Sequence, residues 1–538
     1  MKVLKNILFL LVLVVMILPV IQKEWPFVEE PPLNGDFIEK KQPDFTWKGF
    51  FNGSYQNAYE PYLEQHIGFH NTLVRLRNQL DYSLFRKPNA EGIVIGKEDF
   101  IFEYDYIREI TGRDFVGYDF IDEKLRRLKY VQEYLKKTKN IDLVLVFMPG
   151  KASFYREYIP DKYLKKVSDS TNYSVYLSQI KKRGIKYVDL NHFFHQAKKE
   201  APYPMFPKYG THWSIYGMSR AAHVWLDSIE QFRGRKLNDF NTDSLYFSTI
   251  PLRTDYDGGK ALSLLCNLSK EKFAYPSYIF GHDSARYKPH VLVIGDSFYW
   301  NIFNSGIPEN LFANKAFWYY NAKIYPDFYI KPKYTRDVNL KEEVERQDLI
   351  FVMVTERFLN IFDWKFIDQL YYLYTPDYII DPVYDYMNDI VRDANWFNEI
   401  LKKALAKGET PAMSLYENAA YMHRMKHPEQ FWERYGMDYF KENITGSAVN
   451  RMRIADKAKK QNHPFEEVLN EEAGKLFLKK HPEAFKKYRA ILNKKQWILR
   501  DTALRDSVLS LAEKYNCLPE NMLYFQAKLM VENDDARR

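Results

Sequence analysis

Apolar positions along the chain change their spacing three times. The first pattern is an unbroken apolar run from Ile7 to Ile21, preceded by Lys2 and Lys5. Its fifteen residues are short for a span, but Val3 and Leu4 extend it and lysine stems can snorkel to the interface. Positive charge ahead of the run predicts a cytoplasmic amino terminus and an exported remainder. No small-residue cleavage site follows, and no cysteine stands there to carry a lipid. An uncleaved signal anchor over residues 1–23 is therefore expected.

The second pattern covers residues 24–89, a stalk and helical lead-in. Pro31, Pro32 and Pro43 argue against regular structure early in it. Residues 55–86 have helical periodicity, with Tyr62, Leu63, Ile67, Leu73, Leu76 and Leu80 expected on a buried face.

The third pattern, over 90–384, alternates short apolar runs with amphipathic stretches. Residues 93–102 read as a hairpin around a glycine-containing turn. Residues 122–137 form an amphipathic helix with Leu125, Leu128, Val131 and Leu135 on one side. Apolar strands follow at 143–148, 185–190, 291–294, 316–319 and 349–354, with helices at 172–183 and from Ser214 onward. Strands without polar alternation, separated by amphipathic helices, predict a parallel sheet covered on both faces, a three-layer α/β domain. After residue 385 the strand pattern stops and a separate helical domain, 385–538, is expected. No internal repeat is evident to inspection.

Composition narrows the class. The chain is 46% hydrophobic and 28% charged, as globular proteins are. A net charge of +8 over 538 residues, with no concentrated basic stripe, excludes nucleic acid as a partner. The two cysteines, Cys266 and Cys517, build neither a disulfide framework nor a metal site. His66 with His70, and His192 with His195, have helical spacing but lack a third ligand, so no metal and no cofactor are expected. The 42 Tyr, 38 Phe and 10 Trp suit an aromatic core, and secondarily a carbohydrate surface.

Ligands of an open parallel sheet bind at the carboxyl ends of its strands. The strand at 291–294 is followed by Gly295, Asp296 and Ser297. Glycine allows a sharp turn, and the serine then stands where a helix begins, near backbone N–H groups able to hold an oxyanion. Serine needs a base, and His212, just ahead of a helix, is the candidate. Trp213 beside it is a candidate sugar-stacking platform. Lys151, Tyr299 and Arg357 follow strand ends and are candidate substrate contacts. Asp296 is expected mainly to brace the turn.

Thr211-His212-Trp213-Ser214, followed about 80 residues later by strand, Gly295, Asp296, Ser297 and Phe298, resembles the AlgX/AlgJ-like SGNH hydrolases, the alginate O-acetylation proteins. The Glu60–Phe69, Val94–Phe102 and Pro149–Lys151 segments resemble the same pattern, which spans roughly residues 45–375. The resemblance implies an SGNH-like fold, Ser297 as nucleophile and His212 as base. It implies acetyl transfer to a polysaccharide outside the cytoplasm, with a membrane-bound O-acyltransferase as donor partner. The family's histidine motif carries an aspartate two residues before the histidine; here that residue is Gly210. A triad needs such a carboxylate. Asp189, Glu356 and Asp296 are the candidate replacements. The alternatives are an esterase using the same Ser–His pair, or a glycan-binding or assembly factor without catalysis.

Overall fold

The computed structural model describes residues 2–34, 39–165, 167–327 and 331–537. Met1 of the expected anchor, residues 35–38 of the expected stalk, 166 and 328–330 of the expected α/β domain, and Arg538 lie outside the described residues. Helix Lys2–Glu24 carries the amino-terminal apolar run. From Val3 to Glu24 it is long and apolar enough to cross a membrane, with a mean hydropathy of 2.7.

The lead-in forms helices Trp47–Phe51, Ser54–His66 and His70–Phe85. The expected buried face is not there. Neither of the two longer helices buries a residue, and Leu63, Leu73, Leu76 and Leu80 are exposed. Periodicity reports that a helix has an apolar side; it does not supply the partner that covers it.

Ten strands occur among the described residues. They are β1 (Ile93–Ile95), β2 (Ile101–Glu103), β3 (Asp142–Met148), β4 (Tyr187–Asp189) and β5 (Phe240–Ser248), then β6 (Phe273–Phe280), β7 (Val291–Gly295), β8 (Ala316–Tyr319), β9 (Lys323–Tyr325) and β10 (Leu349–Thr355). β1 and β2 pair antiparallel, as the 93–102 pattern predicts. β5 and β6 form a second hairpin that periodicity missed. The main sheet has the order β4-β3-β10-β7-β8-β9. Its first five strands are parallel, and only β9 at the edge runs antiparallel. Strand alternation divides the core between two layers. Leu143, Leu145 and Phe147 enter one cluster with helix Tyr118–Lys139, while Val144, Val146 and Met148 enter the other with helix Ile215–Arg233. Burial on both faces explains the absence of polar alternation in β3, β7 and β10.

The carboxyl-terminal helices obey a rule that inspection of the sequence misses. Helices Ala394–Lys407, Ala448–Gln461 and Thr502–Lys514 begin 54 residues apart, and so do Pro411–Lys426, Phe465–Lys480 and Pro519–Ala536. Gly408, Asn462 and Asn516 close the first set, each at positive φ. Equivalent buried positions match: Ile400, Ile454 and Val508; Ala404, Ala458 and Ala512; Leu415, Leu469 and Leu523; Ala419, Ala473 and Ala527. A preceding helix completes each unit: Pro382–Arg392, Pro428–Thr445 and Pro482–Arg500. The helices are three copies of one three-helix unit, and within each copy the three helices contact one another in the same way. The repeat escapes the eye because only small or aliphatic buried positions and the caps recur, while the exposed positions do not.

The first and third units share the core cluster that lies under helix Tyr118–Lys139, whereas the second has its own around Phe440 and Phe477. A buried charge network ties helix Tyr118–Lys139 to the first unit. Lys124 Nζ donates to Asp363 Oδ1 at 2.8 Å, Asp368 Oδ2 at 2.6 Å and Asn388 Oδ1 at 2.8 Å. Replacing Lys124 with methionine leaves the buried Asp363 carboxylate without its cation, while Asp368 keeps only Arg127. The expected destabilisation is about 3–5 kcal/mol, read from urea denaturation followed by circular dichroism; a loss below about 1 kcal/mol contradicts this account of the junction.

Candidate active site

The carboxyl edge of the sheet gathers the site. β7 ends at Gly295, and the chain turns into the short helix Tyr299–Phe303. Asp296 braces that turn. Its Oδ1 accepts from the Phe298 N–H at 2.9 Å, and its Oδ2 accepts from the Thr355 N–H and hydroxyl, each at 2.8 Å. The turn is thereby pinned to the end of β10. Burial raises the Asp296 carboxyl above its usual range, although these three donors oppose the shift.

His212 comes from a loop that ends where Ser214 caps helix Ile215–Arg233, its hydroxyl accepting from the Gly217 N–H at 2.9 Å. His212 Nε2 lies 2.8 Å from Ser297 Oγ. Its other ring nitrogen, Nδ1, hydrogen-bonds Asp257 Oδ2. That contact assigns the proton to Nδ1 and leaves the Nε2 lone pair toward the serine hydroxyl. Burial disfavours the imidazolium, but the Asp257 charge and hydrogen bond outweigh it and raise the His212 pKa above 6.5. Burial likewise opposes the Asp257 carboxylate, but His212 and the N–H groups of Thr211 and Gly258 hold its pKa below the usual value.

Asp257 was not among the expected acids. It lies at the start of the short helix Asp257–Ala261, in a segment with no periodicity to mark it. Several bonds fix this segment against the rest of the site. Gly259 N–H donates to the Tyr209 carbonyl at 2.7 Å, Asn301 Nδ2 to Thr254 Oγ1 at 2.9 Å, and Ile215 N–H to Asp255 Oδ1 at 3.3 Å. From the β5–β6 hairpin, the Tyr275 hydroxyl accepts from the Leu252 N–H at 2.8 Å.

Gly210 explains the relocation. A Cβ there would clash with Pro207 Cγ and lie 2.9 Å from the Thr254 carbonyl and 3.1 Å from that of Asp255. The Asp257 segment occupies the space a side chain at 210 would need. The sequence signal was the glycine itself, which excluded a local acid without naming the distant one.

Tyr320 is the other group that sequence reasoning missed. It follows β8 at φ 52°, and Ser297 is among the groups that act on its phenol. An αL conformation at a bulky residue is uncommon, and such strain collects at functional sites. Asn321 Nδ2 holds the turn by donating to the Trp364 carbonyl at 3.0 Å.

The remaining expected residues have other roles. Asp189 caps helix Leu190–Ala197 and accepts from the Tyr173 hydroxyl, so it does not orient His212. Glu356 accepts from the Ser153 hydroxyl at 2.6 Å and from Asn191 Nδ2 at 3.4 Å; burial pushes it up to about 7. It too is no partner of His212. Trp213 is fully buried against Phe194 and Phe298, with no face left for a sugar. Tyr299 is buried against Phe317 and Trp225. Lys151 donates to the carbonyls of Lys208 at 2.8 Å and Gly210 at 2.6 Å, holding the histidine loop from beneath; burial lowers it to about 7. Arg357 is paired with Glu103. Among the described residues no cluster of metal-ligating side chains occurs.

Residues 93–254 match the family described as "SGNH hydrolase-like domain, acetyltransferase AlgX". The match includes His212 and stops short of Asp257 and Ser297. Among solved structures, the chain is similar to the O-acetyltransferase domain of Pseudomonas putida AlgJ, at 18% identity and a TM-score of 0.35, covering 53% of this chain and 99% of that one. It is similar to Pseudomonas aeruginosa AlgX at 15% and 0.33, covering 51% and 67%, and to Bacillus cereus PatB1 at 12% and 0.31, covering 50% and 96%. No curated protein matches the chain. The resemblance to AlgX/AlgJ-like SGNH proteins, first drawn from the two motifs, is supported by the match over residues 93–254.

If Gly210 is excluded from carrying the acid by packing, restoring an aspartate there cannot replace Asp257. The double variant Gly210→Asp/Asp257→Asn is expected to stay as inactive toward an acetyl-ester reporter as Asp257→Asn alone, and to melt at a lower temperature. Recovery of hydrolysis to within tenfold of the unmodified chain would overturn the steric argument.

Proposed function

We propose that this chain is a membrane-anchored acyltransferase that carries an acetyl group on Ser297 and passes it to a hydroxyl of a polysaccharide outside the cytoplasm. The observation that supports this reading most is the continuous chain of hydrogen bonds from Asp257 through His212 to Ser297. In the reaction proposed, the Ser297 oxygen attacks the acyl carbonyl while His212 Nε2 takes its proton. Asp257 stabilises the imidazolium that forms and keeps the ring in the productive tautomer. Tyr320, whose phenol neighbours Ser297, turns its hydroxyl to the developing oxyanion. The imidazolium then protonates the leaving group. In the second half the acceptor hydroxyl loses its proton to His212 and attacks the ester, releasing the acetylated sugar and free Ser297.

The apolar helix Val3–Glu24 and the lysines ahead of it support placing the site outside the cytoplasm. The donor in this reading is a membrane-bound O-acyltransferase. Hydrolysis uses the same groups with water as acceptor. The reading as an inactive scaffold rests on the missing carboxylate before His212; the bond from Asp257 to His212 Nδ1 favours the catalytic reading over it.

Incubation with an activated acetyl ester, followed by intact mass and peptide mapping, is expected to give a single acetyl adduct on Ser297, absent from Ser297→Ala. An unmodified Ser297 under conditions where the chain is folded removes the proposal.

The pH profile tests the base. His212 acts in its neutral form, and Asp257 raises its pKa above 6.5. Adduct formation should therefore rise tenfold per pH unit from acid until a midpoint above 6.5. Asp257→Asn removes the raising charge, so its midpoint should move down while its plateau falls about 10³–10⁴-fold. An unchanged midpoint in that variant would show that Asp257 does not govern the histidine.

A further inference from the structure

The chain that leaves the amino-terminal helix does not hang free. Gln22, in the last turns of helix Lys2–Glu24, is buried. Its Nε2 donates to the Val28 carbonyl at 2.6 Å, and its Oε1 accepts from the N–H groups of Phe27 at 3.1 Å and Val28 at 3.2 Å. The segment then runs along the start of helix His70–Phe85. Glu30 Oε1 accepts from the Thr72 N–H at 2.8 Å, and Arg75 donates to the carbonyls of Pro31 at 2.9 Å and Pro32 at 2.7 Å. The first part of the expected stalk is thus strapped to the lead-in.

The turn between the two longer lead-in helices rests on the same place. Gly68 is buried against the end of the anchor helix. A Cβ there would clash with the Pro19 carbonyl and lie 2.7 Å from Gln22 Cβ and 2.8 Å from the Lys23 nitrogen. A glycine allows so close an approach of two backbones. Phe69, the next residue, meets Phe27 edge-on with ring centroids 5.8 Å apart.

The depth of this contact follows from the anchor itself. The apolar run from Ile7 to Ile21 spans about 22 Å as a helix, against about 30 Å of hydrocarbon in a bilayer. Val3 and Leu4 lengthen it at the amino end. At the other end it stops at Gln22, Lys23 and Glu24. Pro19 lies inside the run, so a turn packed on Pro19 and Gln22 stands at the boundary between hydrocarbon and headgroups. Apolar side chains are exposed around that turn. Trp25, Phe27 and Val28 follow the anchor, Leu63 ends one lead-in helix and Leu73 begins the next. A span shorter than the bilayer draws its flanks into the interface, where tryptophan and other aromatic groups are favoured.

We propose that the turn at 67–69, with Trp25, Phe27, Val28, Leu63 and Leu73 around it, is a foot seated in the outer leaflet of the lipid bilayer beside the anchor. Lipid is the occupant because the patch is continuous with a helix whose own apolar surface lipid must cover. The foot rests on the reading of helix Lys2–Glu24 as a retained anchor.

One helix carries the foot to the catalytic acid. Asn78 stands about 12 Å beyond His70 along the helix axis. Its Nδ2 donates to the carbonyls of Leu262 at 3.0 Å and Ser263 at 3.3 Å, directly after the short helix that opens with Asp257. Tyr82, one turn further, packs on the cluster of Tyr209, Tyr256 and Leu262. Seating the foot therefore holds the Asp257, His212 and Ser297 site at a fixed height over the membrane, which in the acyl-transfer reading contains the donor.

The test uses the full chain in phosphatidylcholine nanodiscs, one chain per disc, with Cys266→Ser removing the exposed native thiol. Nitroxide labels are placed singly on Trp25→Cys, Phe27→Cys and Leu73→Cys. Val12→Cys is the anchor reference, and Leu405→Cys, at a position 84% exposed in the helical region, is the aqueous reference. Collisions with oxygen and with a nickel chelate give each label's depth, and circular dichroism checks each fold. At least two of the three foot labels are expected to show an oxygen-to-chelate ratio about threefold or more above Leu405→Cys, and below Val12→Cys. Gly68→Val forces the turn off Pro19, so the Leu73→Cys ratio should fall to the aqueous reference while Val12→Cys keeps its own. An aqueous Val12→Cys label removes the anchor reading and the foot with it. A lipid-embedded Val12→Cys label beside two or more aqueous foot labels overturns the foot alone and assigns the patch to a protein partner. A Leu73→Cys label unmoved by Gly68→Val overturns the seating of the turn by the anchor.

Discussion

The bond between Asp257 and His212 orders the carboxyl edge of this protein. It joins two loops far apart in the chain, and each side depends on supports that make sense only with the bond in place. Lys151 sits under the histidine loop and holds two of its carbonyls. Asn301, from the helix after the serine, holds the loop that brings Asp257. Gly210 leaves room for that loop to approach. A buried carboxylate is costly unless it is paired. Here the pairing is with an imidazole whose other nitrogen faces Ser297, so the groups that stabilise the acid also prepare the base.

The parallel sheet supplies the rigid part of this arrangement. β10 lies between β3 and β7 and places Thr355 against Asp296, which fixes the turn bearing Ser297. Glu356, one residue further, remains buried and bound to Ser153. Two carboxylates at the same sheet edge thus brace turns, while a third, brought from a loop, orients the histidine. The difference is one of direction. Strand-end acids point along the sheet into their neighbours, whereas a loop crossing the edge can face the imidazole.

The helical region solves a different problem by repetition. A three-helix unit buries only part of its apolar surface, and stacking copies buries the rest. The first and third copies also share a core cluster with helix Tyr118–Lys139. A cavity of about 740 Å³ remains between that helix and the three copies.

Much of the fold was legible in the sequence because burial leaves a periodic trace. Unbroken apolar strands predict a two-sided parallel sheet, and β3, β7 and β10 are buried along their whole length. The position of Ser297 after β7, and of His212 ahead of its helix, follows from where strands end and helices begin, which local composition controls. Other features carry no such trace. Asp257 opens a one-turn helix and Tyr320 lies in a turn, and their approach to His212 and Ser297 depends on contacts tens of residues distant. Trp213 and Tyr299 stand close in sequence to His212 and Ser297, yet packing turns both inward. The leucines of the lead-in helices follow a buried-face pattern yet are exposed, because pattern alone carries no information on whether a partner is present. The 54-residue repeat lay between these cases, preserved in caps and buried alanines and hidden by surface residues under no common constraint. The sequence by itself determined which residues prefer to be buried and where the chain must turn. Tertiary structure alone decided which turns meet, because the distance between two loops is fixed by the packing of everything between them.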